Sequence, residues 1–324
     1  MIVRWGLAEL PGALRTLGAE RAFLIASDRW NELELGVELV GRWSEVPSER
    51  LEEMAARAHD SGTDVLLAVG GGSAIDAAKG TSAESGLPLV SVPTTYAGAE
   101  WTRFFGIPAP DRRARGGGAG ANLAGAVYEV ELTLGLPRAE SGGTALNALA
   151  HCAEALYVRS REPGADDDAL GGTRLIAGAL PAVLAQPHDR AARSQLLAGA
   201  LLAGRALGRS GLALGHAMAQ AVGGRYGLPH GAMNAICLPP ALRFNARLAP
   251  DAIARFATAL GVDDAAARAE ELARLAGFGR LRDFGVPAED LAQLSEEAAA
   301  RPGNQANPQP ATPAEVAELL RSVW

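Results

Sequence analysis

Short apolar runs separated by polar and helical stretches occupy the chain up to about residue 137, and from there the spacing of apolar positions is helical to the end. In the first part, residues 21–27 centre on Ala22-Phe23-Leu24-Ile25-Ala26 and stop at Ser27-Asp28, as a buried parallel strand would. Residues 64–69, 89–92 and 127–130 read as further strands, the last one returning to the sheet. Between the first two, Leu51, Met54, Ala55 and Ala58 recur at helical spacing behind Pro47 and a candidate Ser48 cap. The second part predicts helices over 141–157, 166–185, 189–208, 211–222, 231–246, 250–260, 263–275, 289–300 and 312–323. The pattern therefore predicts a domain over 1–137 of α/β type with a parallel sheet and an all-helical domain over 138–324.

A length of 324 residues agrees with two domains. The 30 basic and 37 acidic side chains leave a net charge of −7, so no overall positive field draws the chain to nucleic acid or to an acidic membrane. Cys152 and Cys237 stand far apart, without CxxC spacing, which points to a reducing compartment. The start lacks the basic and apolar regions of a signal peptide, and no apolar run is long enough to span a bilayer; the expectation is a cytoplasmic protein. Residues 107–126, with Pro108, Pro110, Arg112, Arg113, Arg115 and Gly116 to Gly118, read as an exposed turn or hairpin with arginines on a solvated rim.

The chemistry begins directly after the second strand, at Gly70-Gly71-Gly72-Ser73-Ala74-Ile75-Asp76-Ala77-Ala78-Lys79. A strand feeding a glycine turn and then a helix presents amides at the positive helix end, where a pyrophosphate can approach without a Cβ in the way. A tight turn without ligand has the same glycines, and the stretch is neither GxGxxG nor a Walker A motif. Lys79, the one lysine of the sequence, lies about two turns into the helix, where its amine either touches ligand or instead supports the fold or a nearby acid. After the third strand, Pro93-Thr94-Thr95 forms a candidate second wall for a nucleotide. In the helical part Asn147 and His151 are one turn apart, and His216 and His230 come from two other segments. Three histidines and an amide can converge on one divalent metal, or can pack and contact substrate. His59 and His188 have polar surroundings and read as surface residues.

Taken together, GGGSAIDAAK (70–79), VPTTYAGAE (92–100), SGGTALNALAHCAEALY (141–157), GGRYGLPHGAMNAICLP (223–239) and NPQP (307–310) give the chain its resemblance. It resembles the iron-containing alcohol dehydrogenase family, and within it the maleylacetate reductase subfamily. The resemblance implies a dehydroquinate synthase-like architecture, with NAD or NADP in the cleft between an α/β and an all-α domain, and a homodimer. It implies reduction of maleylacetate to 3-oxoadipate in aromatic compound degradation. Metal-dependent relatives bind iron or zinc through one Asp and three His, at positions matching Asn147, His151, His216 and His230. Asn at the first of these is similar to the reductase subfamily, which does not clearly require metal. The usual Leu-His-His-x-x-x-His motif is here Leu214-Gly215-His216 with Gln220.

On this basis Asn147, His151, His216 and His230 are the candidate catalytic residues, with His216 or His230 as proton donor. Asp28, Gly71, Gly72, Ser73, Asp76, Thr94 and Thr95 are the candidate cofactor contacts, Asp28 facing a ribose hydroxyl. Tyr96, Arg103 and Arg243 are the candidate partners of a small carbonyl or dicarboxylate substrate. Two other readings stand beside this one. The chain could be a metal-dependent alcohol or aldehyde dehydrogenase of a specialised biosynthetic pathway. Alternatively, Gly215 and Gln220 would fit a catalytically weakened binding or structural subunit.

Overall fold

The computed structural model describes residues 1–108 and 115–324, so Pro110, Arg112 and Arg113 lie outside the described residues. The chain divides into two compact units, Met1–Gly135 and Leu136–Trp324.

The first unit runs β1 (Ile2–Trp5), α1 (Leu10–Thr16), β2 (Arg21–Ile25), β3 (Glu38–Trp43), α2 (Leu51–Asp60), β4 (Val65–Gly70), α3 (Gly72–Ser85), β5 (Leu89–Pro93), β6 (Phe105–Pro108), β7 (Arg115–Gly118) and β8 (Leu123–Tyr128). Among the described residues, six strands form one parallel sheet in the order β1-β8-β5-β4-β2-β3. Central β4 and β5 are buried along their whole length, which is why they read as unbroken apolar runs.

The period of two divides β4 between two cores. Val65, Leu67 and Val69 pack with Leu10, Ala13 and Leu14 on one face, and Leu66 and Ala68 pack with Met54, Ala58 and Ile75 on the other. Full burial of each such Val, Leu or Ile contributes about 1.5–3 kcal/mol. Three helices thereby clamp the sheet, and every strand's carboxyl end faces the same edge.

Two expectations need correction here. The hairpin expected within 107–126 is present as β6 paired antiparallel with β7, but it ends at Gly118: β8 starts at Leu123 and joins the main sheet between β1 and β5. Ser48 does not cap α2. Its Oγ accepts from the Arg50 amide 3.3 Å away, and the helix begins at Leu51.

The second unit is helical: α4 (Arg138–Ala155), α5 (Asp166–Ala185), α6 (Arg190–Ser210), α7 (Leu214–Tyr226), α8 (His230–Ala246), α9 (Pro250–Leu260), α10 (Ala265–Ala276), α11 (Leu291–Ala300), α12 (Pro302–Ala306) and α13 (Pro313–Ser322). Asp189 and Asp264 cap α6 and α10 by accepting from the Ala192 and Ala267 amides, and Thr312 with Glu315 forms a capping box at α13. Buried α4 packs against α5, α6, α8 and α10.

Small residues set how closely these helices approach. A Cβ on Gly231 would come within 2.5 Å of the Gly143 carbonyl carbon, so α4 and α8 meet backbone to backbone. The NPQP tail is explained by structure as well: Asn307 and Asn245 exchange side-chain amide hydrogen bonds at 3.1 and 2.9 Å, both fully buried.

Candidate active site

At the carboxyl edge of the sheet, β4 ends in a turn that two glycines make possible. Gly70 has φ of 152°, and a Cβ on it would meet the Ala74 Cβ at 2.8 Å. A Cβ on Gly71 would lie 2.9 Å from the Thr95 Cγ2, so the turn after β4 rests directly on the turn after β5. The Thr94 amide donates to the Gly70 carbonyl at 3.0 Å and locks the two together. α3 then starts at Gly72 without a side-chain cap, Ser73 is exposed, and nothing stands within 4 Å of a Cβ on Gly72. This is an open helix N-terminus of the kind that receives phosphate. Asp28, also exposed, follows β2 at the same edge.

Asp76 has a different occupation. One of its oxygens takes the Lys79 ammonium at 2.7 Å and the other accepts from the Gly106 amide at 3.2 Å. Lys79 in turn donates to the Ala99 carbonyl, the Thr102 hydroxyl and the Phe104 carbonyl at 2.9, 3.0 and 2.7 Å. Of the two sequence-level readings of this lysine, support of the fold through a nearby acid is what the geometry shows. Its side chain is only 1% exposed, so this pair clips the segment after β5 onto α3.

The candidate substrate partners differ in position. Tyr96 is completely buried, a core ring closed to solvent. Arg243 lies thirteen residues beyond His230 on α8, about 20 Å along the axis at 1.5 Å per residue, and is paired with Glu270 at the surface. Arg103 is exposed in the clipped segment.

In the second unit the structure brings Asn147, His151, His216 and His230 together. The rings of His151 and His216 stack with centroids 4.8 Å apart, and His230 is 5.8 Å from His216. Asn147, His151 and His216 are buried and His230 is partly open. Burial, followed by the neighbouring His216 and His230, pushes the His151 imidazole well below its usual range, so it stays neutral.

Two residues not singled out from the sequence complete the cluster. Glu154, buried one turn after His151, accepts from the His216 Nδ1 at 2.8 Å. Asn234, one turn after His230, approaches the Asn147 Oδ1 at 2.7 Å and the His230 Nε2 at 2.9 Å through its amide nitrogen. Their spacing from histidines on helices was the available signal.

The donor set does not suit a metal ion. None of the four residues at the candidate ligand positions carries an anionic oxygen, and the nearby Glu154 carboxylate is occupied by the His216 Nδ1 and two backbone amides. The lone pairs of Asn147 and His230 that would turn to a cation already accept from Asn234. Among the described residues, no group of three His, Cys, Asp or Glu is arranged to hold one.

Gly215 also finds its reason here. A Cβ on it would stand 2.9 Å from the Glu154 Oε1 and 3.3 Å from the Ala241 Cβ. A side chain at position 215 would press on the buried carboxylate, which would have to shift to make room. Another unforeseen group is Glu100, buried in the first unit, which accepts from the Tyr128 hydroxyl at 2.7 Å. Its pKa is raised by that burial.

An α/β unit with an open glycine turn, followed by a helical unit carrying three adjoining histidines, defines a class. The chain belongs to the iron-containing alcohol dehydrogenase family of NAD(P)-dependent oxidoreductases: the iron-containing alcohol dehydrogenase model matches residues 5–121, and the C-terminal model of the Fe-containing alcohol dehydrogenase family matches 142–324. Within that family it is similar to the maleylacetate reductase of Burkholderia cepacia, 38% identical over 82% of this chain and 75% of the relative. The maleylacetate reductase of Pseudomonas knackmussii is 35% identical over 90% of this chain and 86% of its own. The crystal structure of maleylacetate reductase from Agrobacterium tumefaciens superposes with a TM-score of 0.91 at 31% identity, covering 100% of this chain and 95% of that one. Among the described residues no helix is long and apolar enough to cross a membrane.

Proposed function

We propose that this protein is an NAD(P)H-dependent maleylacetate reductase that converts maleylacetate to 3-oxoadipate. The observation that carries the reading is the amide-bridged histidine cluster, a proton-handling site with no carboxylate directed at a metal, in a chain akin to maleylacetate reductases. When bound, the reduced nicotinamide would supply hydride to one end of the C=C conjugated to the ketone, which leaves the protein to favour the negative charge on the ketone oxygen and to give a proton to the other carbon. The hydride chemistry belongs to the cofactor. The protein's share is to orient the dinucleotide, favour the enolate and deliver the proton.

The amides of Gly72 and Ser73 are the proposed pyrophosphate contacts, with Thr94 and Thr95 beside them and Asp28 for a ribose hydroxyl. His216 is the proposed proton donor, and partly open His230 the proposed partner of the enolate oxygen. Arg103 remains the proposed guanidinium for a substrate carboxylate. Gly215, one of the two departures that would fit a weakened member, leaves the space that the Glu154 carboxylate fills.

The test is oxidation of NADH and of NADPH with maleylacetate and with a panel of small aldehydes, each with and without chelator. Maleylacetate-dependent oxidation insensitive to chelator is expected. Turnover of an aldehyde with none of maleylacetate would overturn the reading.

A further inference from the structure

Glu154 is fully buried, yet among the described residues no lysine or arginine is seen to pair with it. Its carboxylate is directed entirely at the start of α7. One oxygen accepts from the Ala213 amide at 2.6 Å and from the His216 Nδ1 at 2.8 Å; the other accepts from the His216 amide at 3.0 Å. Ala213 precedes the helix and has no side chain that could cap it, so a carboxylate from α4 does from outside what a capping box does from within.

We propose that Glu154 is the positioning residue of the reduction: it holds the His216 ring with Nδ1–H toward itself, leaving Nε2 as the nitrogen that handles the proton. This rests on the reading of His216 as donor given above. A carboxylate accepts and cannot donate, so the nitrogen facing it carries the hydrogen. The opposite nitrogen then faces the Asn147 Oδ1 at 3.3 Å. Asn147 cannot turn its amide freely, because Oδ1 also accepts from Asn234, which is tied in turn to His230. The order Glu154, His216, Asn147, Asn234, His230 thus fixes ring, tautomer and amide orientation in one buried chain. Gly215 is part of the device, since the carboxylate occupies the place its side chain would take. Outer partners that orient a functional imidazole change activity by about 10- to 100-fold when lost.

The experiment compares wild type, Glu154→Gln and Gly215→Ala by ¹⁵N-resolved NMR of the histidine rings and by steady-state kinetics. In wild type the His216 Nδ1 is expected to be protonated. Glu154→Gln replaces one of the two acceptor oxygens with an NH₂ that must oppose either the His216 amide or the Ala213 amide and Nδ1, so the Nδ1 proton signal should shift or be lost, with kcat falling by about 10- to 100-fold and the KM for NADH unchanged. If that variant does not fold, Gly215→Ala, which presses on the carboxylate, should shift the same resonance and lower kcat. A wild-type ring protonated at Nε2 alone overturns the proposal, as does a variant whose Nδ1 signal is lost or shifted while kcat holds. The ring spectrum is read without any substrate, so a failure to turn over maleylacetate would count against the assigned reaction and not against this orientation.

Discussion

Single residues carry most of the chemistry here, and their environments set which can take part. Cys152 and Cys237 are fully buried, and burial pushes both thiols up to about 12, so neither is a nucleophile at neutral pH. A thiol reagent should label neither in the native protein and both after denaturation; fast labelling of folded protein would refute this.

Glu100 is the complementary case. Its pKa is raised in the folded state, so the neutral form is favoured and its contribution is present below the ordinary glutamate range. That contribution is lost progressively as pH rises from there through the raised folded value. Glu100→Gln keeps an acceptor for Tyr128 and cannot ionise. It should match wild type in Tm near pH 4 and exceed it at pH 8, a difference thermal unfolding at the two pH values would show.

The histidines and Asn147 were legible in the sequence because polar groups at helical spacing stand out against alanine-rich surroundings. Glu154 and Gly215 were not, because their meaning is mutual: one is a buried carboxyl group aimed at the start of α7, the other the space it fills. Arg243 misled for a related reason. Residue type suits a dicarboxylate, but depth and axial distance are not written in residue type.

At the scale of elements, the decisive construction is the turn between β4 and α3. Gly71 is required by Thr95, whereas Gly72 has open space where its side chain would be. The two therefore separate folding from binding. Gly72→Val should leave urea unfolding within about 0.5 kcal/mol of wild type. The same variant should weaken NADH binding by about tenfold or more in a fluorescence titration, about 1.4 kcal/mol. Unchanged affinity would remove the turn from the nucleotide site.

The buried strands were legible from apolar runs. β1 and β3 were not, for they are the edges of the sheet and their half-exposed patterns carry neither a continuous run nor a clean alternation. The longer helices of the second unit were legible to within a few residues, since an alanine-rich 3.6 period survives uncertainty at the ends, whereas five-residue α12 is too short to show a period and was not read.

Over the whole molecule, contacts distant in sequence close each unit. The NPQP tail returns to α8 through the reciprocal Asn245–Asn307 pair, a contact spanning 62 residues. Asn307→Ala would leave the Asn245 amide buried with part of its hydrogen bonding unmet, so a loss of about 1–3 kcal/mol in denaturant unfolding is expected. A neutral result would mean the tail is held by its apolar packing alone. The motif was legible as a family mark, but only the pairing across the helical unit explains it.

The clip at α3 also determines how the folded protein meets reagents in solution. Lys79 is the one lysine of the sequence and its ammonium is enclosed by Asp76, Ala99, Thr102 and Phe104. The native surface thus offers no side-chain amine to acylating dyes, aldehyde fixatives or enzymes that modify lysine. Any such adduct at this position would report that the corner of the α/β unit had come open.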